Sequence, residues 1–409
     1  MIKWFKNIGP GPLIAAAFIG PGTVTVCTLA GVSYGFTLLW AMVLSIIATV
    51  VLQGMSARLG IITQKGLSEI IRTEIKNPVL KFLAILLILS AIVLGNAAYE
   101  GGNITGGVLG LETIVKNPRI TIGELGINLL SVLIGCIAFV LLFIGNYKIL
   151  EKSLVALVIL MSLAFLVTAI ITKPDITKIL KGAFIPTFPN DSLFTVIALI
   201  GTTVVPYNLF LHASLVKERW KSKTDLQFVR KDTIIAIILG GLVSMCIIIS
   251  AASIPSQGVK SATDLAKGLE PLFGSFAKYF LAIGLFSAGI TSAITAPLAA
   301  AYVTTGCLGW STNMKSKKFR TVWIVVLVLG VLFSSIGIKP IEVIKFAQVT
   351  NGILLPVIAG FLIWIMNKKS VLGDYKNTIK QNILGILILG ISILLSLTTL
   401  NKVFSLNLF

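Results

Sequence analysis

Eleven stretches of about 20 apolar residues follow one another along this chain, near residues 11–34, 37–57, 79–106, 122–145, 153–172, 192–216, 233–254, 276–307, 321–338, 341–366 and 382–400. A helix rising about 1.5 Å per residue crosses the hydrocarbon core of a bilayer with that many residues. Lipid offers no partner to a free amide or carbonyl, so only helices or closed barrels cross it. Apolar runs of this length are helical, and the chain reads as an all-α integral membrane protein. Only 12% of its 409 residues are charged, against about 25% in soluble domains, and its mean hydropathy is +0.99. Little chain is left for a soluble domain.

The net charge of +19 invites a nucleic-acid reading, which the distribution rejects. With the N-terminus inside, the inner loops carry 23 of the 34 Lys and Arg and the outer ones 11. That is the positive-inside pattern, and it points to a multi-pass protein of the plasma membrane. The densest cluster, Lys217, Arg219, Lys221, Lys223, Arg230 and Lys231, follows the sixth span and reads as a topology anchor at lipid headgroups. The N-terminal lysines and apolar run resemble a signal peptide, but the run continues past Ala17 and reads as an uncleaved first span. Cys27, Cys136, Cys246 and Cys307 each fall inside a span without paired spacing, so core packing is expected for them rather than disulfides or a metal cluster. With His212 the only histidine, a multi-histidine metal site is excluded.

Two of the spans break their own helix. Gly-Pro-Gly interrupts the first at Gly20, Pro21 and Gly22, and Pro206 interrupts the sixth within "GTTVVPYNLFLH", 185 residues later. Proline removes a backbone donor and clashes with the preceding turn. The carbonyls freed in this way are tolerated at membrane depth only where they face protein or a wet cavity. Ten spans then divide into two groups of five, 11–172 and 192–366, each opening with a broken helix, and an extra span follows at 382–400. Matching breaks in two halves point to an inverted-repeat transporter with its substrate site between them. The alternative is a pair of ordinary proline kinks.

At these residues the chain resembles the Nramp family of divalent metal transporters, whose fold is LeuT-type. "GPGPLIAAAFIGPGT" resembles that family's first helix, and "VVPYNLFLHAS" its sixth. "NAAYEGGNITGG" is similar to the third, "SAGITSAITAPLAAAY" to the eighth, and "FAQVTNGILLPVIAGF" to the tenth. The resemblance implies a 5+5 inverted repeat with helices 1 and 6 broken. It also shows what has changed. Gly20 stands where the family has a metal-binding Asp, Thr23 at its Asn, Val205 at its thioether ligand, Tyr207 at its first His, and Ala97 at its third-helix Asp. Glu100, His212 and Gln348 keep the neighbouring acid, the second His and the tenth-helix amide, and Ala17 and Thr202 hold positions where the family uses backbone carbonyls.

Manganese and iron prefer carboxylate, imidazole or thioether ligands, and desolvating a divalent ion without anionic ligands is costly. Transition-metal transport by the family's usual ligands is therefore not expected. A magnesium ion that keeps several waters needs fewer protein ligands. The residues expected to bind substrate are Ala17, Gly20, Gly22, Thr23, Thr202, Thr203, Val205, Tyr207, Asn208 and Gln348, and Thr25 also lines the first break. Their neutral donors, with two half-helix N-termini, suit a small oxyanion such as bicarbonate; the threonines could equally serve freed carbonyls. The alternative substrate is a hydrated magnesium or manganese ion, with protons as the coupling ion.

Ala288, Thr291 and Ser292 in "SAGITSA" resemble the sodium site of LeuT-type transporters. With carbonyls near Ala17 and Gly20 they form a candidate site for a coupling sodium, no other cofactor being expected. Plain helix packing by small residues is the competing reading. Glu100, flanked by Asn96 and Asn103, lies deep in the third span, where an ionised group costs about 2.5–3.5 kcal/mol. It and His212 are the candidates for proton movement or gating, against a structural carboxyl as the alternative. No nucleophile–base pair, phosphate loop or zinc motif indicates an enzyme. The partners expected are the lipid bilayer and a small ion, and a non-transporting receptor is the reading of a different class.

Overall fold

The computed structural model describes residues 19–115, 119–122, 125–145, 148–254, 261–335 and 339–404. The helices that matter below are α1 (Pro21–Tyr34), α2 (Leu39–Thr63), α3 (Leu67–Glu74), α4 (Pro78–Leu111), α5 (Leu129–Ile144), α6 (Lys148–Ile171) and α7 (Ile176–Phe184). They continue with α8 (Leu193–Thr203), α9 (Pro206–Arg219), α10 (Leu226–Ala251), α11 (Ala277–Leu308), α12 (Lys317–Ser335), α13 (Pro340–Met366) and α14 (Ile379–Phe404). Every apolar stretch of the sequence contains one of these helices. Eight helical stretches, including α8 and α9 taken together, are long and apolar enough to cross a membrane, and α5 and residues 155–171 of α6 are shorter apolar helices. The chain is a multi-pass, mostly helical membrane protein.

Local sequence sets the helix ends. Asn77 caps α4, its side-chain oxygen accepting from the Val79 and Leu80 amides at 2.9 and 3.1 Å, with Pro78 at the first position, where its missing N–H costs nothing. Asn128 does the same for α5 through Leu130 and Ser131. Gly145 ends α5 at φ 66°, a left-handed conformation that suits glycine. At one boundary strands take the place of expected helix. Residues 119–122 and 125–128 pair as antiparallel strands β1 and β2, with Ile122 opposite Leu125, so helix begins at Leu129 rather than near 122. The alternation of Ile, Thr and Leu with polar residues there has the period of a strand.

Packing separates a buried centre from a lipid-facing rim. Val79, Leu80 and Phe82 on α4 and Ile383, Ile386 and Leu387 on α14 are exposed, as apolar side chains are where hydrocarbon is the solvent. The second half of α4 is buried almost throughout from Gly95 to Gly110 and packs against α11, α12 and α13. Small residues make this possible: a methyl group at position 289 of α11 would come within 2.7 Å of the Gly107 Cα, so the backbones lie at the close distance typical of glycine contacts between membrane helices. Cys27 and Cys307 are buried as expected, whereas Cys136 is exposed on α5 and does not pack in the core.

Amphipathic helices cover both ends. At one end α3 buries Leu67, Ile70 and Ile71 and its Arg72 donates to the Gly306 carbonyl at 3.1 Å. On the other side α7 lies against the turn between α1 and α2, and Trp40 donates to the Thr187 carbonyl at 3.0 Å.

Candidate functional site

The sixth span is broken as the sequence predicts. α8 stops at Thr203, Val204 and Val205 leave helical geometry, and α9 restarts at Pro206. Val205 precedes that start with extended backbone (φ −75°, ψ 121°) and no side-chain cap. Both valines are buried. In the first span α1 begins at Pro21 after extended Gly20 (φ −91°, ψ −178°), again without a side-chain cap. Ala17 and the rest of the chain before residue 19 lie outside the described residues.

Gln348 of α13 joins the two breaks. A methyl group at Gly22 would overlap its carboxamide, and one at Gly201 would overlap its backbone carbonyl. Gln348 is therefore wedged between the first turn of α1 and the last turn of α8. α4 completes the contact, since a methyl group at Gly106 would overlap the Pro21 ring. From the same face of α4, Tyr99 meets Tyr207 edge-on, with ring centroids 5.5 Å apart and an interplanar angle of 61°. Its hydroxyl faces those of Tyr207 and the Gln348 amide, but the alignment leaves Tyr207 Oη without a hydrogen-bond partner.

The polar groups here divide into satisfied and unsatisfied. Thr202 donates to the Leu199 carbonyl at 3.0 Å and Thr203 lies 3.4 Å from the same oxygen, so these hydroxyls serve the end of α8, as the competing reading of the threonines holds. Tyr207 Oη, both polar atoms of the Asn208 amide, Gln348 Oε1 and Thr25 Oγ1 are buried and unpartnered. Buried polar atoms are usually paired, so the four side chains with unpartnered atoms at or beside the helix starts form the candidate place for a polar ligand, although other buried groups such as Thr105 and Asn351 also lack partners. All are neutral. Among the described residues no group of three or more His, Cys, Asp and Glu could hold a metal ion.

The remaining candidates sit elsewhere. Glu100 follows Tyr99 by one residue, about 100° around the helix, and its side chain packs against Gly330 of α12. Asn103 donates to its Oε2 at 3.4 Å and Oε1 has no partner. Asn96, expected beside it, donates instead to the Ala296 carbonyl at 2.9 Å. His212 bridges three helices, with Nδ1 3.0 Å from Gln53 Oε1 on α2 and Nε2 3.4 Å from the Thr233 hydroxyl on α10. The Gln53 contact places a proton on Nδ1, since Oε1 accepts, while the Thr233 hydroxyl donates to the Val229 carbonyl at 2.8 Å. Of the three α11 residues, Ala288 is fully buried, Thr291 donates to the Ser287 carbonyl at 2.8 Å, and Ser292 Oγ is buried without a partner.

Two residues escaped the sequence reading. Tyr99 stood unremarked within "NAAYEGG", although a tyrosine set among alanines and glycines in a span was a signal. Arg58 lay one residue past the expected end of the second span, yet α2 continues to Thr63 and Arg58 is buried. Its guanidinium donates to Gln381 at 2.8 Å and to Asn377, tying α2 to the first turn of α14 and the segment before it.

The comparisons with known proteins follow this geometry. The chain is 26% identical over 406 residues to the divalent metal cation transporter MntH of Caldanaerobacter subterraneus, covering 96% of this chain and 92% of the relative. Its structure is similar to that of the Eremococcus coleocola manganese transporter, with a TM-score of 0.77 at 23% identity over 97% of this chain and 86% of that one. MhsT in complex with L-phenylalanine gives a TM-score of 0.57 at 15% identity, over 95% of this chain and 97% of that one. These likenesses place the fold in the LeuT-type class. Since the model for natural resistance-associated macrophage protein-like proteins matches residues 11–402, the chain belongs to the Nramp family.

Proposed function

We propose that this protein is a secondary transporter, not an enzyme, that carries a divalent metal cation through the site between its two broken helices. The cation reading is supported by relatives named as divalent metal cation transporters. The observation that carries the form of the ion is the neutral set Tyr207, Asn208 and Gln348, with unpartnered polar atoms and no charged ligand. Replacing the inner shell of a divalent ion with neutral oxygens alone is costly. Such oxygens do accept hydrogen bonds from water that the ion keeps, and magnesium keeps several. A hydrated magnesium or manganese ion is therefore the substrate proposed.

A second reading, a small oxyanion such as bicarbonate, draws on one observation. α1 and α9 both start at the site without a side-chain cap, and uncapped N–H groups at a helix start favour an anion. The repeats proposed are residues 11–172 and 192–366, with 382–400 outside them, in a plasma-membrane protein whose N-terminus is cytoplasmic. Sodium held by Ser292, Thr291 and the backbone near Ala288, Ala17 and Gly20 is one coupling route, and protons moving through Glu100 and His212 are the other.

Uptake into proteoliposomes tests these together. Magnesium or manganese accumulation supports the cation reading, and bicarbonate accumulation without either overturns it. In the same assay Ser292→Ala raises the sodium requirement if sodium is coupled. Uptake that runs equally well in potassium or choline removes sodium, and sensitivity to Glu100→Gln then supports protons.

A further inference from the structure

Tyr99 belongs to α4, outside both broken helices, and neither family position nor motif draws attention to it. Three observations bring it to the breaks. Its ring packs edge-on against Tyr207 at 5.5 Å. Its hydroxyl shares the space between Tyr207 and Gln348. Tyr99 and Tyr207 are also among the largest side chains of the chain, 2% and 0% exposed, and both end in a polar atom. Buried tyrosines usually place the hydroxyl against a partner, yet Tyr207 Oη has none, and neither has Gln348 Oε1. The Tyr99 phenol thus lies beside a second phenol, and in a cluster with an amide, whose own oxygens have no partner.

We propose that Tyr99 is a substrate-contacting residue, and that its phenol and that of Tyr207 hydrogen-bond to oxygens belonging to the ion: the retained waters of a divalent cation or the oxygens of an oxyanion. Selection then acts on the hydrogen-bonding shell of the ion and not on direct metal–ligand bonds. A phenol both donates and accepts, so either source of oxygen meets a complementary atom. This assignment rests on the transport reading above.

The test compares wild type, Tyr99→Phe and Tyr207→Phe in proteoliposomes, with magnesium in one arm and bicarbonate in the other. Phenylalanine keeps the ring contact and removes only the oxygen. A hydrogen bond to a charged group contributes enough for Tyr99→Phe to raise the half-saturating concentration about 10-fold, with the maximal rate within about twofold. The two substitutions together fall short of the product of their separate effects, because both phenols serve one shell. In the magnesium arm hexaamminecobalt(III), whose ammine shell does not exchange, inhibits wild type and inhibits Tyr99→Phe less.

An unchanged half-saturation in Tyr99→Phe, with Tyr207→Phe impaired, makes Tyr99 a packing residue and overturns the assignment alone. Failure of hexaamminecobalt(III) to compete in a magnesium-transporting protein overturns it too, because it shows direct ligation. Uptake of neither ion by wild type overturns the transport reading and the assignment with it. Should Tyr99→Phe fail to purify as a monodisperse protein, the near-ultraviolet difference spectrum of wild type on adding the transported ion decides. A tyrosine difference band that shrinks but persists in Tyr207→Phe supports two contacting phenols, and its disappearance there leaves Tyr207 alone.

Discussion

Pro21 and Pro206 both stand at the first position of a helix, each after one extended residue that offers no side-chain cap. Beyond that the two breaks are built differently. The first is made of Gly20, Pro21, Gly22 and Thr23, so it presents mainly backbone. Its smallness lets the Gln348 side chain lie against Gly22. The second is bulky: Val204 and Val205 fill the gap, and Tyr207 and Asn208 carry unpartnered polar atoms. One break supplies room and helix-end dipole, and the other supplies side chains. If the proposed site lies here, the residues on either side of each helix start decide what it can hold.

The sharpest way to break that comparison is to place metal ligands in both breaks. Gly20→Asp, Thr23→Asn and Val205→Met together restore the residues that the family pattern has at these positions. Wild type is expected to bind manganese no better than millimolar, and the triple variant micromolar, a gain of about a thousandfold or roughly 4 kcal/mol. Isothermal titration calorimetry reads both. Micromolar binding by wild type would show that backbone and neutral groups suffice, and the contrast between the breaks would lose its meaning.

A smaller effect separates the two glycines that touch Gln348. At Gly201 a new methyl meets the Gln348 carbonyl and the Gly352 amide, which are backbone and cannot turn aside. At Gly22 it meets the end of a flexible side chain. Gly201→Ala should therefore lower stability by about 1–3 kcal/mol. Gly22→Ala should cost less stability but displace the amide and raise the half-saturating substrate concentration. Thermal unfolding in detergent alongside uptake distinguishes them, and equal melting temperatures with equal uptake contradict the arrangement.

The smallest expected effect concerns Thr202. Its hydroxyl bonds to the Leu199 carbonyl, so Thr202→Ala should cost about 0.5–1.5 kcal/mol of stability and leave half-saturation unchanged. A several-fold loss of apparent affinity would show that the hydroxyl turns toward substrate, and would make the second break richer in ligands than its bonding suggests.

Much of the frame was legible because it depends on the solvent. Apolar runs of sufficient length become helices in lipid regardless of their neighbours, and each expected run contains one. The positions of the breaks follow from proline's missing N–H and steric clash, which act within a few residues. Errors arose where local sequence was ambiguous. Residues 119–128 carry apolar residues enough to extend a span, but β1 and β2 use them as a hairpin. Asn96 and Asn103 flank Glu100 alike in sequence, yet only Asn103 bonds to it, since the Ala296 carbonyl on α11 takes the other.

The sequence by itself determined the helical membrane class, the helix starts at Pro21 and Pro206 and the neutrality of the residues around them, because these depend on hydropathy, backbone chemistry and side-chain type. Tertiary structure alone decided which neutral groups share a site. Tyr99 reaches Tyr207 across 108 residues of chain, Gln348 reaches Gly22 across 326, and Arg58 reaches Gln381 across 323. It also turned Glu100 toward Gly330 and away from its neighbour Tyr99. Contacts of that kind arise from how helices pack side by side, and one residue of rotation around α4 is enough to move a side chain from the meeting point of the breaks to the opposite seam.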